Sequence, residues 1–156
     1  MKIDKADVVI LNTLQENART SLDKLAHLAG LSTASVQRRL RALRDSGVIV
    51  RDVSILDPSK LDQHMSFIVM VELERERRDQ IDLFVRQTLN EILVQQCYYV
   101  TGEADFCLIC TAKDMHEFEE LTHRLFFENS NVRRFRTSVV MGRKKIGLEV
   151  SLENLG

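Results

Sequence analysis

Four arginines stand within seven residues, Arg38, Arg39, Arg41 and Arg44, with Gln37 just ahead of them. An arginine fork matches the exposed edge of guanine and a glutamine amide that of adenine, so Gln37 and Arg38 have the chemistry to read bases. Arg41 and Arg44 lie further along and suit backbone phosphates. Before them come Ser32, Thr33, Ala34 and Ser35, small residues that let a helix approach a groove closely. A charged face is often just a solvated one. Here almost no acid balances the arginines until Asp45. The charge is also local: residues 1–60 carry 10 Lys and Arg against 7 Asp and Glu, while the remainder carries 12 against 16. A basic front on an acidic rear places any polyanion contact at the front.

A second cluster is Thr101-Gly102-Glu103-Ala104-Asp105. Glycine there permits a tight turn whose free N–H groups receive a carboxylate, and Glu103 and Asp105 carry the charge to pair with an ammonium group. Thr101 and Thr137 add hydroxyls. Taken on spacing alone, a plain hairpin turn is the better reading, since Gly, Glu and Asp are common in turns. Other constellations carry less. Cys107 and Cys110 form a C-x-x-C, but in a strand residues i and i+3 face opposite sides and do not share one ion. His116 and His123 are two helical turns apart, loose for a metal, and His27 and His64 are isolated. No phosphate loop, dinucleotide glycine pattern or nucleophile elbow occurs. Neither a catalytic residue nor a metal site nor a cofactor is expected.

The elements that must position these residues follow from periodicity. Asp4 or Asp7 opens a helix reaching about Asn17, with Val8, Leu11 and Leu14 inward. Thr20 or Ser21 opens a second, with Leu25, Ala26, Leu28 and Ala29 apolar and Gly30 at its end. Ser32 caps a third, in which Val36, Leu40 and Leu43 recur at i, i+4 and i+7. Rotation by about 100° per residue puts Ala34, Gln37, Arg38, Arg41 and Arg44 opposite that stripe, and Arg39 on its flank. Gly47 stops the helix, and Val48-Ile49-Val50 reads as a short strand or wing. Two helices joined by Gly-Leu-Ser, the second basic, are a helix-turn-helix layout.

Residues 56–60 hold the only proline and read as a linker, so residues 1–60 form one expected domain and 61–156 a second. The second reads as strands at 65–73, 94–101, 106–112 and 132–141, with helices at 79–92 and 115–128. Ile81, Phe84, Val85, Thr88, Leu89 and Ile92 face inward on the first helix, and Phe118, Leu121, Thr122 and Leu125 on the second. The order βαββαβ is the ferredoxin-like unit, so the fold class is α+β. Phe67, Val69 and Val71 oppose Ile68 and Met70, and Phe106, Leu108 and Cys110 oppose Cys107 and Ile109. A sheet apolar on both faces needs cover on both, and either a second copy or the front domain folded back can supply it. The front domain would have to spend its main apolar face there, so a homodimer through this sheet is expected.

The chain is 44% apolar and 29% charged, which suits a soluble globular protein. Acids interrupt the apolar residues of the N-terminus, so no signal peptide is expected, and a cytoplasmic location is the default. Three cysteines, an odd number in apolar surroundings, suit a reducing compartment.

The pattern GLSxxxVxRRLxxLxxSGVI, the LDP linker and VTGEADF between two strands together resemble the Lrp/AsnC family of leucine- and asparagine-responsive transcription regulators. The resemblance runs from Ile3 to about Glu149. It implies binding to double-stranded DNA, with Ser32 to Arg41 matching the recognition helix. It also implies a rear domain that assembles dimers, often tetramers or octamers, with a small effector, usually an amino acid, held where dimers meet. Thr101, Gly102, Glu103, Ala104 and Asp105 match the effector loop, and Thr137 and Ser138 fall where relatives add contacts. The chain departs from the pattern with Arg51-Asp52 after the wing and with Leu43-Arg44 late in the recognition helix. Alternatives are a sirohaem decarboxylase-like enzyme of the same architecture and an amino-acid sensor that does not bind DNA. The basic recognition helix argues against both.

Overall fold

A computed structural model describes residues 2–155. They form two compact units: one runs to Ile55 and takes in the chain from Lys145 onward, and the other is Leu56–Lys144.

The first unit packs three helices, α1 (Lys5–Glu16), α2 (Leu22–Ala29) and α3 (Thr33–Asp45). Each begins on a side chain that takes up a backbone N–H left free by the first turn. Asp4 accepts from the Asp7 N–H while Asp7 accepts from that of Asp4, a closed capping box. Ser21 caps α2 and Ser32 caps α3. Gly30 ends α2 at φ 63°, where a side chain is strained, and the chain turns directly into α3. Ile10, Leu11, Leu25, Ala26, Val36, Leu40 and Leu43 close the core. Leu28, expected inward, is 46% exposed because α2 buries only its Leu25–Ala26 side.

Two expectations change in this unit. No strand forms at Val48–Val50. The Ile49 N–H turns back to the Leu43 carbonyl at 3.0 Å, and no neighbouring strand offers a ladder. The chain after Lys144, placed with the rear domain on sequence, packs instead with the helices. Leu152 joins their core, and the Gln15 side-chain amide grips the backbone of Val150 from both sides, accepting its N–H at 2.8 Å and donating to its carbonyl at 3.1 Å.

The second unit is β1 (Met65–Leu73), α4 (Arg78–Asn90), β2 (Val94–Tyr99), β3 (Phe106–Ala112), α5 (Met115–Thr122) and β4 (Val132–Val139). The strands are antiparallel in the order β2-β3-β1-β4. Phe67, Val69, Val71, Phe106, Leu108, Cys110 and Ala112 are buried on one sheet face, together with Phe84, Phe118, Leu121 and Leu125. The Phe67 and Phe118 rings stack at 3.7 Å. Thr88 and Thr122 are also buried, and Ile81 and Val85 pack at the edge.

Leu89 and Ile92 face outward, contrary to expectation, at 77% and 92% exposure. Glu91 leaves helical geometry, so the helical period ends before Ile92 and Leu93 takes the buried place. The second helix ends early too, at Thr122. His123–Phe127 close as a wider π turn, which shifts the phase so that Leu125 and Phe126 are both buried and Phe127 is not. On the opposite sheet face Ile68 and Tyr98 are exposed, and Met70, Cys107 and Ile109 only half-buried.

Candidate DNA-binding face and ligand loop

On α3 the buried stripe of Val36, Leu40 and Leu43 leaves Ser32, Thr33, Ala34, Gln37, Arg38, Arg41 and Arg44 exposed, with Ser35 half-buried. The Ser32 hydroxyl is spent on the cap, accepting from the Ser35 N–H at 3.2 Å and donating to the Ser35 hydroxyl at 3.0 Å. Arg38 and Arg41 have no ion-pair partner among the described residues, so both guanidinium groups are available to an external anion. Arg44 is held by Asp52 at 3.0 Å, both side chains nearly half exposed, and such a pair yields readily to a phosphate.

Arg39 does something else. Its Nη1 lies 2.8 Å from both the Asp4 and the Asp7 carboxylates, and the Asp7 side chain is only 4% exposed. A buried carboxylate needs a cation or several donors, and Asp7 has Arg39 and the Asp4 N–H. The backbone N–H of Asp7 and the guanidinium of Arg39 hold the Asp4 carboxyl below its ordinary pKa. The same two carboxylates raise Arg39 above its own. Arg39 therefore ties the basic helix to the start of α1, a link that spacing within one helix could not reveal.

In the loop, Gly102 sits at φ 117° with open space where a Cβ would lie, so its need for glycine is conformational, not steric. Thr101, Gly102 and Glu103 are exposed, and Ala104 is buried at the loop's foot. Asp105 anchors the hairpin. Its N–H donates to the Val71 carbonyl at 2.9 Å, its carbonyl accepts from Val100, and its carboxylate accepts the Leu73 N–H at 2.6 Å. One of its oxygens is thus already engaged by the fold. Thr137 and Ser138 are exposed on edge strand β4, opposite Val69 and Ile68. Arg136 shares the open sheet face with Ser138, Thr137 lying on the other face, and the Arg136 Nη2 is 3.4 Å from Glu103. It went unread on sequence, though its alternation with Arg134 on one strand, against Glu72 on another, is a signal of a cross-strand cluster.

The cysteines divide as the strand period requires. Cys107 is half-buried on the open face and Cys110 buried beneath the helices. Burial pushes the Cys110 thiol up to about 12, which leaves it protonated and unreactive at neutral pH.

Comparison with known proteins agrees with this geometry. The profile of the winged helix-turn-helix DNA-binding domain matches residues 3–50, and that of the Lrp/AsnC ligand binding domain matches residues 66–150. A helix-turn-helix-type transcriptional regulator of Sinorhizobium fredii is 49% identical, over 98% of this chain and 90% of its own length. The leucine-responsive regulatory protein of Haemophilus influenzae is 34% identical over 92% of this chain and 86% of its own. Among solved structures, a Neisseria meningitidis transcriptional regulator in complex with L-methionine superposes with a TM-score of 0.91 at 26% identity, covering 97% of this chain and 98% of that one. With one profile over the helices that carry the basic face and another over the sheet that carries the loop, the chain belongs to the Lrp/AsnC family of transcriptional regulators.

Proposed function

We propose that the protein binds double-stranded DNA as a homodimer, itself assembling to tetramers or octamers, and that an amino acid held at the 101–105 loop shifts its oligomeric state or its DNA affinity. The observation that carries the DNA contact is the α3 face, on which Arg38 and Arg41 have no ion-pair partner among the described residues. In this reading Gln37 and Arg38 face base edges in the major groove, Arg41 and Arg44 hold phosphates, and Ser32 to Ser35 allow the close approach. The half-apolar sheet face of Ile68, Met70, Cys107 and Ile109 supplies the dimer surface. The L-methionine complex of the Neisseria regulator supports an amino acid as effector, with Thr101, Gly102, Glu103, Ala104 and Asp105 around it and Thr137 and Ser138 adding contacts. We read the protein as a regulator and not an enzyme, since the exposed arginines lie on the second helix of a helix-turn-helix, where they have a use on DNA. A cytoplasmic location goes with that role. No helix among the described residues is long and apolar enough to cross a membrane.

The deciding experiment is a binding titration across the standard amino acids, read together with oligomer mass and DNA affinity. One or a few amino acids should change mass or affinity. Substitutions at Gly102, Glu103 and Asp105 that leave every such response intact would refute the effector reading.

A further inference from the structure

Arg136 of β4 is held only loosely by its present partners. Arg134 grips Glu72 at 2.7 and 3.0 Å. Arg136 reaches Glu72 at 3.6 Å and Glu103 at 3.4 Å, both through Nη2 and both long for a charge-assisted contact. The register explains the stretch. Arg134 lies directly across from Glu72, whereas Arg136 lies across from Met70 and has no carboxylate opposite it. Its two candidates are also poor ones. Glu72 is already held by Arg134, and the Glu103 side chain is 87% exposed, where water competes for it. What results is a half-exposed guanidinium whose Nη1 and Nε have no partner among the described residues and whose Nη2 touches the Glu103 side chain of the loop.

We infer that Arg136 is the carboxylate receptor of the effector site: the α-carboxylate of an amino acid displaces Glu103 from Arg136, and the released Glu103 takes the α-ammonium group. This deepens the amino-acid reading of the loop and rests on it. The charge balance favours a zwitterion. One long ion pair within the protein is replaced by two between protein and ligand, and no charge is left over. A ligand with only an ammonium group leaves Arg136 without its anion, and one with only a carboxylate leaves Glu103 without its cation. Arginine offers a planar fork to a carboxylate where lysine offers a point charge, so the site should tell an acid from its amide.

The test is calorimetric titration of the full chain, beginning with L-methionine and the other standard amino acids, then with the carboxamide of the best ligand. Wild type should prefer the acid over the amide by about tenfold or more, the range for a charge-assisted contact. Arg136→Gln should lose that preference by weakening the acid alone, with its melting temperature near wild type because the side chain is outside the core. Arg136→Lys should restore part of the preference. If wild type binds an amino acid and Arg136→Gln keeps the full preference for acid over amide, Arg136 is not the receptor and the loop reading survives. If wild type binds no amino acid, the loop reading fails and takes this inference with it.

Discussion

At the scale of single residues, the four arginines of α3 separate by what each already touches. Arg38 and Arg41 have no ion-pair partner among the described residues, Arg44 is loosely paired with Asp52, and Arg39 is committed to Asp4 and Asp7. Replacing Arg38 by alanine should relax base preference at one position of a binding site. Replacing Arg41 or Arg44 should weaken specific and random DNA alike and lower the salt slope by about one. Fluorescence anisotropy on both kinds of duplex at several salt concentrations separates the two outcomes. Arg39→Ala should act on stability first, because it leaves the buried Asp7 carboxylate without its cation, at a cost of about 2–3 kcal/mol in chemical denaturation. The Asp4 carboxyl is depressed in the folded state. Its contribution is therefore complete above the ordinary carboxylate range and is lost as pH falls through the lowered folded value. Acid titration of wild type against Asp4→Asn should show the two stability curves converging at low pH.

At the scale of elements, the helix starts and the inward strand positions were legible because each rests on a local rule. Ser32 caps α3, Gly30 takes the left-handed turn, and Phe67, Val69 and Val71 alternate into the core as a period of two demands. Ser32→Ala should cost about 1 kcal/mol, and Gly30→Ala about as much through its positive φ, both visible as lower melting temperatures. Helix ends were less legible. Ile92 continues an apolar period that the backbone does not follow, because Glu91 turns out of the helix and the chain enters β2 at Val94. Leu89, by contrast, is still helical and lies on the exposed side of α4. Val48–Val50 has the composition of a strand but no neighbour to pair with, and strand propensity alone forms no ladder. The open sheet face makes its own prediction. Ile68→Lys should shift the protein to lower mass in sedimentation while its sheet core stays folded.

At the scale of the whole molecule, the chain's last residues belong to the same compact unit as its first helices. Leu152→Ala should destabilise that unit by about 2 kcal/mol, the low end for a core leucine because the site lies at the rim. Hydrogen exchange would show the loss in α1 and α3 and not in β1 to β4. The sequence by itself determined the two-part architecture, the basic face opposite Val36, Leu40 and Leu43, and the glycine turn between the second and third strands. All of these depend on residues within a few positions of one another, where periodicity and turn chemistry act. Only the tertiary structure decided that Arg39 is bonded inward to Asp7, that the Asp105 carboxylate holds the Leu73 N–H, that Arg136 meets Glu103, and that Gln15 clasps Val150. Each of those contacts joins residues more than thirty positions apart. Such pairs are chosen by strand register and helix packing, and neither is encoded in the spacing of any one segment.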